Sequence, residues 1–389
     1  MMTSHDPVPL AQALIRCESV TPVEGGALTL LEGVLDAAGF ECHRMAFSEP
    51  GFPDVENLYA RLGNTGPNLC FAGHTDVVPP GNLDAWTSPP FSAEIRGGIL
   101  YGRGSVDMKG EIACFVAALK RFLAYDKGDL PGSISLLITG DEEGDSVNGT
   151  VKVLDWLKAR GEVLHACIVG EPSSRDRVGD EMKVGRRGSL NGEIIVAGKQ
   201  GHAAYPHMAD NPVPKLARII DRLSGLKLDE GTKHFEPSHL GVTVISVPNT
   251  ATNVIPSEAR ARFNIRYNDA HTRPKLEALV RVTCEAAAAE LGAKYKLSFS
   301  GTGDVFVTEP GPLVDTMQSA VAEITGKVPR LSTGGGTSDA RFIKDHCPVI
   351  EMGLVNATIH QVDEHVPVAD LETLTRIYER FLTMFFARA

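Results

Sequence analysis

The sequence lacks the features that mark secreted and membrane proteins. Its seven cysteines stand singly with no CxxC pair, and this odd, scattered set fits a reducing compartment better than a disulfide framework. No apolar run is as long as a membrane span, and the start "MMTSHDPVPLAQALIRC" lacks the basic and apolar regions of a signal peptide. We therefore expect a cytoplasmic protein that has no membrane partner.

Positive charge is also scarce. The chain has 38 lysine and arginine residues against 49 aspartate and glutamate residues, a formal net charge of -11. This balance argues against a nucleic acid or an anionic membrane surface as partner. Hydrophobic residues make up 43% and charged residues 22%, as in soluble globular proteins. A length of 389 residues predicts two domains of ordinary size.

Short apolar strands and helices alternate between about residues 57 and 185. The segments "NLYARLG", "NLCFAGHTDVV", "SISLLITG" and "HACIVGEP" read as strands that are stopped by Gly, Asp or Pro. Residues 111–124 carry apolar side chains at helical spacing. This alternation predicts an α/β domain in which helices cover both faces of a sheet.

The pattern then changes to a self-contained β-α-β-β-α-β unit. Strands are predicted at 189–198, 240–247, 258–268 and 294–300, with helices at 211–226 and 272–292. This is the order of a ferredoxin-like α+β domain. Beyond it, a strand at 348–353 and helices near 311–326 and 369–388 return to the α/β style. We therefore predict a domain of residues 188–300 inserted into a discontinuous one of residues 1–187 and 301–389.

Acids and histidines cluster where the predicted strands end. They are His74, Asp76, Asp107, Asp141, Glu142, Glu143, Glu171 and, far downstream, His360 and His365. Each alone is more often a structural or solvated turn residue. However, ligands of open α/β sheets bind at strand ends, and histidine with carboxylates suits zinc and two-metal hydrolysis. Spacing alone does not assign these residues to particular metals.

Several motifs occur in an order that carries a family resemblance. They are "GHTDVVPPG", "GRGSVDMKG", "TGDEEG", "GEPS", "GRRGSLNG", "GHAAYPHMADNP", "GGGTSDARF" and "NATIHQVDE". From about residue 55 onward the chain resembles the two-zinc aminoacylase/carboxypeptidase metallohydrolases. Within them it is similar to the DapE-type succinyl-diaminopimelate desuccinylases, because "GRRGS", "GGTSDARF" and "NATIH" point to that branch.

The resemblance implies a role for each clustered residue. Asp107 would bridge two zinc ions, which cobalt or manganese can replace. One ion would also bind His74 and Glu171, and the other Glu143 and His360. His365 departs from the family's pattern at its position and is a second candidate ligand in place of His360. The same resemblance makes Glu142 the general base and Asp76 the carboxylate that orients His74. His202 would stabilise the oxyanion from the partner subunit.

Substrate anchoring is expected from cations of the inserted domain and from those of "KVGRRGS" at the domain junction. In "EARARFNIRYN", one strand face presents Arg260, Arg262, Asn264 and Arg266, because strand side chains alternate. Such a face can bind substrate carboxylates or can simply be solvated. The resemblance assigns substrate contacts to Lys183, Arg186, Ser189, Tyr205, Asn253, Arg266, Gly336, Thr337 and Asn356.

The expected reaction is hydrolysis of N-succinyl-L,L-2,6-diaminopimelate to succinate and L,L-2,6-diaminopimelate, in lysine and diaminopimelate biosynthesis. The first alternative is a related zinc deacylase or carboxypeptidase acting on another N-acyl amino acid, such as acetylornithine. The second is a non-catalytic metal-bound binding protein, against which the free base Glu142 argues. The resemblance also implies a homodimer formed through the inserted domain. There, a sheet edge and the helix at 211–226 are expected to need cover.

Overall fold

A computed structural model describes residues 5–125, 130–301 and 303–387. The last residue of the helix predicted at 369–388, and the outermost residues of the predicted domains, lie outside these ranges. The chain divides into two compact units. Unit 1 comprises Met1–Val184, Thr308–Ser332 and Ser338–Ala389, and unit 2 comprises Gly185–Val307 and Thr333–Thr337.

Unit 2 is longer at both ends than the predicted insert of residues 188–300. The reason is a short antiparallel pair, in which Gly185–Arg186 pairs with Phe306–Val307. Because of this pairing, both segments that connect the predicted insert to unit 1 along the chain belong to unit 2. Contacts between segments so distant in sequence leave no local pattern that would place the boundary.

Nine α-helices are distributed along the described ranges. In chain order they are α1 Pro7–Ile15, α2 Ala27–Asp36, α3 Lys109–Tyr125, α4 Thr150–Ala159, α5 Pro212–Ser224, α6 Arg273–Glu290, α7 Pro312–Thr325, α8 Ala340–Ile343 and α9 Val368–Ala387. Short 3-10 helices occupy Leu83–Ala85, Pro206–Met208 and Asn356–Thr358. Within the part of the chain that the structure describes, none of these helices combines the length and apolarity needed to span a bilayer.

The strands follow the same order. They are β1 Glu41–Phe47, β2 Val55–Leu62, β3 Asn68–His74, β4 Ile95–Arg96, β5 Ile99–Tyr101, β6 Ser133–Thr139, β7 Ala166–Val169, β8 Glu181–Lys183, β9 Gly185–Arg186, β10 Gly188–Ala197, β11 Gly201–His202, β12 His239–Ser246, β13 Val254–Ile255, β14 Glu258–Tyr267, β15 Lys294–Ser300, β16 Phe306–Val307, β17 Arg330–Ser332, β18 Val349–Glu351 and β19 His365–Pro367.

Unit 1 is built on an eight-stranded mixed sheet in the order β1-β2-β6-β3-β7-β18-β8-β17. Every residue of β3, β6 and β7 is buried, as expected for strands covered on both faces. Helix α3 packs against α1 and α9. Phe71 of β3 stacks on Phe115 of α3 at 4.2 Å between ring centres, and Tyr378 of α9 meets both rings edge-on. This α/β architecture confirms the predicted fold class.

The register of the central strands brings the chemistry-bearing loops to one sheet edge. Strands β3 and β6 run parallel with His74 opposite Thr139, and β3 and β7 run parallel with Ala72 opposite Val169. The carboxyl ends of these strands therefore lie side by side. The loops that follow them carry the acids after Thr139 and after Val169, so the sheet gathers them beside His74.

Unit 2 is an antiparallel four-stranded sheet in the order β12-β14-β10-β15, with helices α5 and α6. Along β14 buried and more exposed residues alternate, which confirms the predicted apolar and charged faces. The α5 residues Leu216, Ile219 and Leu223 are buried in the unit's own core. The expectation that this helix needs cover from another chain is therefore wrong, because the sheet of the same unit already covers it.

Candidate active site

The buried imidazole of His74, at the end of β3, is one centre of the site. Its Nε2 lies 3.1 Å from Asp107 Oδ1 and 3.8 Å from Glu171 Oε1. Its Nδ1 lies 2.8 Å from the backbone oxygen of Asp76, and 3.6 Å from the Asp76 carboxylate. The main chain of Asp76 therefore makes the closer contact to the ring. The family resemblance had assigned that contact to the Asp76 carboxylate.

Asp107 stands between two histidines. While Oδ1 faces His74, Oδ2 lies 3.3 Å from His360 Nε2. The same ring nitrogen of His360 is 2.8 Å from Glu143 Oε1. Each oxygen of Asp107 thus belongs to a different cluster of donors, which is the arrangement a bridging carboxylate requires.

Three groups of donor atoms lie within 4.8 Å of one another among the described residues. They are His74 with Asp107 and Glu171, Asp107 with Glu143 and His360, and His74 with Glu142 and Glu143. Two groups share Asp107, so this donor set fits a pair of divalent ions. His365 belongs to none of these groups. Its Nδ1 lies 2.7 Å from the backbone oxygen of Asp363, and its ring centre 5.1 Å from that of Tyr101.

The electrostatics of the cluster fit a cation site. Burial raises the pKa of Glu171 well above its ordinary value, and the charges of Asp107 and Glu142 raise it further. Burial likewise raises the pKa of Glu142. Hydrogen bonds to Asp107 and Glu143 raise the pKa of His360 to about 10. Glu171 and His360 thus bind protons more tightly than usual, and a divalent cation would compete with those protons for the same atoms.

The loop that carries Glu142 and Glu143 is held by two other carboxylates. Asp76 accepts the backbone N–H groups of Glu142 at 3.3 Å and Glu143 at 3.0 Å. Asp141 accepts those of Val147 at 2.8 Å and Asn148 at 2.9 Å. Of the three consecutive acids, Asp141 therefore shapes the loop and the other two face the cluster.

Arg341 of α8 supports the same loop and was not foreseen from the sequence. Its guanidinium donates to Ser146 Oγ at 2.8 Å, and this hydroxyl donates to the backbone oxygen of Glu142 at 3.3 Å. Arg341 lies within "GGGTSDARF", which served only as a family marker. Its place in that motif is the signal that could have suggested a role.

Two predicted substrate residues lie in unit 1. Lys183 is buried and forms an ion pair with Glu181, and its Nζ lies 3.3 Å from Ser332 Oγ. Asn356 opens a 3-10 turn, and its N–H donates to the backbone oxygen of Ser174 at 3.0 Å. Neither residue falls within the three donor groups.

The remaining predicted residues lie in unit 2 and form two sets. In the first set, Arg186 donates to the backbone oxygen of Gly336 at 3.1 Å, and Thr337 beside it is half-buried. In the same set, Ser189 of β10 lies opposite Arg266 of β14. In the second, the ring of His202 lies 5.7 Å from that of Tyr205, and Asn253 accepts the N–H of Ala203 at 2.9 Å.

Comparison with known proteins places this geometry in a family. The sequence model of "Peptidase family M20/M25/M40" matches residues 70–384. The chain belongs to this family. Among curated M20 relatives, the succinyl-diaminopimelate desuccinylase of Rhodospirillum centenum is 56% identical over 384 residues, covering 99% of this chain and 98% of that protein. The desuccinylase of Rhodopseudomonas palustris strain BisB5 is 54% identical over 389 residues, covering 99% and 100%.

Solved structures share the M20 fold at low sequence identity. An M20 family metallo-carboxypeptidase from Sulfolobus solfataricus superimposes with a TM-score of 0.80 at 18% identity, covering 98% of this chain and 99% of that one. A dinuclear metal-binding M20 peptidase from Bacillus subtilis gives 0.72 at 16% identity, covering 98% and 97%. At such identities the likeness establishes the common fold.

Proposed function

We propose that this M20 enzyme hydrolyses N-succinyl-L,L-2,6-diaminopimelate to succinate and L,L-2,6-diaminopimelate. The observation that carries the proposal is the near full-length identity, above one half, to several curated desuccinylases. The site supports the reaction class, because histidine and carboxylate donors meet around a shared Asp107. A binding protein would need such donors but no further carboxylate for proton transfer.

The proposal includes two zinc ions, for which cobalt or manganese can substitute. His74 and Glu171 would hold one ion, Glu143 and His360 the other, and Asp107 both. Bound there, the ions would polarise the amide carbonyl and lower the pKa of an attacking water. The two Asp107 oxygens, each facing a different histidine, support this assignment.

We assign proton transfer to Glu142. As the water oxygen bonds to the succinyl carbonyl carbon, Glu142 would accept a proton from that water. When the C–N bond breaks, it would return the proton to the departing nitrogen. Burial raises the pKa of Glu142, which favours its holding a proton between these two steps. The backbone contacts of Asp76 and of Ser146, the partner of Arg341, would keep its carboxylate in place.

His202 is proposed as the donor to the developing oxyanion. Its Nδ1 accepts the N–H of Ala204 at 3.0 Å, so the neutral ring carries its proton on Nε2. A fixed N–H is what an oxyanion requires. Arg186 and Arg266 would bind the substrate's carboxylates, for which guanidinium groups are well suited. The other proposed substrate contacts are Lys183, Ser189, Tyr205, Asn253, Gly336, Thr337 and Asn356.

A homodimer completes the proposal. Strand β12 lies at an edge of the unit 2 sheet and exposes Val244 by 46% and Ile245 by 63%. An edge of this kind pairs readily with a second copy, and two-fold dimers are the commonest assemblies. His202 would then act in the site of the partner. The free, unpaired cysteines favour a cytoplasmic location for this enzyme.

A substrate panel tests the proposed function directly. Purified protein loaded with zinc is offered the N-succinyl compound, N-acetylornithine and other N-acyl amino acids, and amine release is measured. We expect the highest kcat/KM for N-succinyl-L,L-diaminopimelate. Faster cleavage of N-acetylornithine would assign the enzyme to a different deacylase activity.

Subunit mixing tests the shared site. An inactive His202→Ala chain is mixed with an inactive Glu142→Gln chain under conditions where subunits exchange. If His202 acts across the dimer, one site of each hybrid contains both wild-type residues and activity returns. Verified exchange without activity would reject the shared site.

A further inference from the structure

A fully buried ion pair lies directly behind the proposed metal centre. The carboxylate of Glu364 is 0% exposed and the side chain of Arg103 2%, and they meet at 2.7 Å. The second oxygen of Glu364 accepts the backbone N–H groups of Val106 at 2.9 Å and Asp107 at 3.2 Å. Glu364 therefore holds the main chain of the residue that faces both histidines.

Arg103 extends the same network to the other side of the cluster. Its second terminal nitrogen lies 3.4 Å from the backbone oxygen of His360. Its guanidinium also lies 5.3 Å from the ring centre of Trp86, a cation–π contact that keeps it in place. One ion pair thus links the backbone amide of Asp107 to the backbone carbonyl of His360, residues far apart in sequence.

The segment carrying His360 needs such support. His360 has a φ of 59° and Asp363 one of 57°, in the left-handed region that residues with side chains seldom adopt. The Asp363 carboxylate accepts the N–H of Thr87 at 2.8 Å, but this contact is exposed. Glu364 anchors the segment from a fully buried position.

We propose that Arg103 and Glu364 are positioning residues that set the separation of Asp107 and His360. They would thereby tune most strongly the affinity for the ion that these two residues share, and less strongly that for the ion which Asp107 holds with His74 and Glu171. The inference rests on the proposed dinuclear centre. Groups that orient metal ligands from behind typically change metal affinity by about 10- to 100-fold when removed.

Two conservative variants separate positioning from mere stability. Glu364→Gln can still accept the Asp107 N–H, but its amide nitrogen would face the Arg103 donors and release that guanidinium. Arg103→Lys keeps a buried charge beside Glu364 but loses the planar fork that reaches His360. Both changes leave His74 and Glu171 untouched. The exposed pair of Arg380 and Glu323, which meet at 2.6 Å, supplies the matched controls Glu323→Gln and Arg380→Lys.

The experiment titrates zinc into metal-free protein and resolves the two binding steps by calorimetry. His360→Ala identifies which step belongs to the ion held by His360. We expect Glu364→Gln and Arg103→Lys to weaken that step by about 10- to 100-fold. The other step should weaken less, because His74 and Glu171 stay in place. The thermal midpoint of metal-free Arg103→Lys should stay close to that of the wild type, because lysine keeps a buried charge beside Glu364. The two control variants should leave both steps unchanged.

Three outcomes would overturn the inference. Unchanged binding in both variants would deny the pair any positioning role. Equal weakening of both steps, together with a lower thermal midpoint, would make the pair merely structural. If Glu364→Gln does not fold, Arg103→Lys decides alone. A wild-type protein that takes up fewer than two ions would refute the dinuclear centre itself, and that failure is recognised without any variant.

Discussion

Replacing Asp76 by asparagine separates two roles for this carboxylate. The family resemblance gives Asp76 the task of orienting His74, but its carboxylate lies 3.6 Å from the ring. Its closer contacts are the backbone N–H groups of Glu142 and Glu143 at 3.3 and 3.0 Å. The substituted asparagine would keep one acceptor oxygen and turn an N–H group towards the other donor. The loop carrying both glutamates would then lose one anchor.

The magnitudes follow from these contacts. A hydrogen bond to an ionised group contributes about 1.5–3 kcal/mol, and each 1.4 kcal/mol of lost transition-state stabilisation is about tenfold in rate. We therefore expect kcat/KM to fall by roughly 10- to 150-fold. Burial raises the pKa of Asp76 to about 6, so its ionised form above pH 7 costs the folded protein about 3 kcal/mol. The neutral amide removes that cost but also loses one hydrogen bond to an ionised group. Because the two effects are of similar size, the stability of metal-free protein should hardly change.

The assay compares kcat/KM of the zinc-loaded protein with the thermal midpoint of the same preparation before zinc is added. Asp229→Asn is the control, because Asp229 also accepts a loop N–H, that of Gly231 at 2.7 Å, but lies in unit 2. The control should retain the wild-type rate. Wild-type activity in Asp76→Asn would refute the anchoring role, and so would an activity loss matched by an equal loss of stability.

Two further predictions concern regions outside the site. Burial and the negative charges of Glu32 and Asp36 raise the pKa of Cys42 to about 11. The alkylation rate of Cys42 should therefore keep rising between pH 9 and 10. A plateau of this rate near pH 9 would contradict the prediction. A Cβ at Gly192 would lie 2.0 Å from Phe263, whereas one at Gly241 on β12 meets nothing within 4 Å. Gly192→Ala should therefore lower the free energy of unfolding by about 1–3 kcal/mol, while Gly241→Ala should leave it near the wild-type value. Equal thermal midpoints of the two variants would show that a side chain at position 192 does not clash with Phe263.

The fold and the placing of acids and histidines at strand ends were largely predictable from local patterns, whereas the grouping of donors around Asp107 was expected only from the family resemblance. Apolar runs ending in polar loops define β3 and β6, and their parallel register alone brings His74 near the acids after Thr139. The alternation along "EARARFNIRYN" likewise fixes which side of β14 is buried. Patterns of this kind depend only on the periodicity of strands and helices.

The supports of the site were not predictable in the same way. The contact between Arg103 and Glu364 joins residues 261 apart in sequence, and that between Arg341 and Ser146 joins residues 195 apart. Tertiary packing creates these pairs, and a polar residue in a motif does not reveal its partner. The prediction that α5 needs cover was wrong for the same reason. Periodicity identifies an apolar helix face but not the surface that buries it.

The most direct test of the account is the turnover of Glu142→Gln with its metal content measured in the same sample. The account predicts two bound zinc ions and a kcat on N-succinyl-L,L-diaminopimelate reduced by about 100-fold or more, since the amide cannot carry the proton. Undiminished kcat with both ions bound would contradict the assigned proton transfer. Loss of one ion would instead make Glu142 a ligand, as its group with His74 and Glu143 allows.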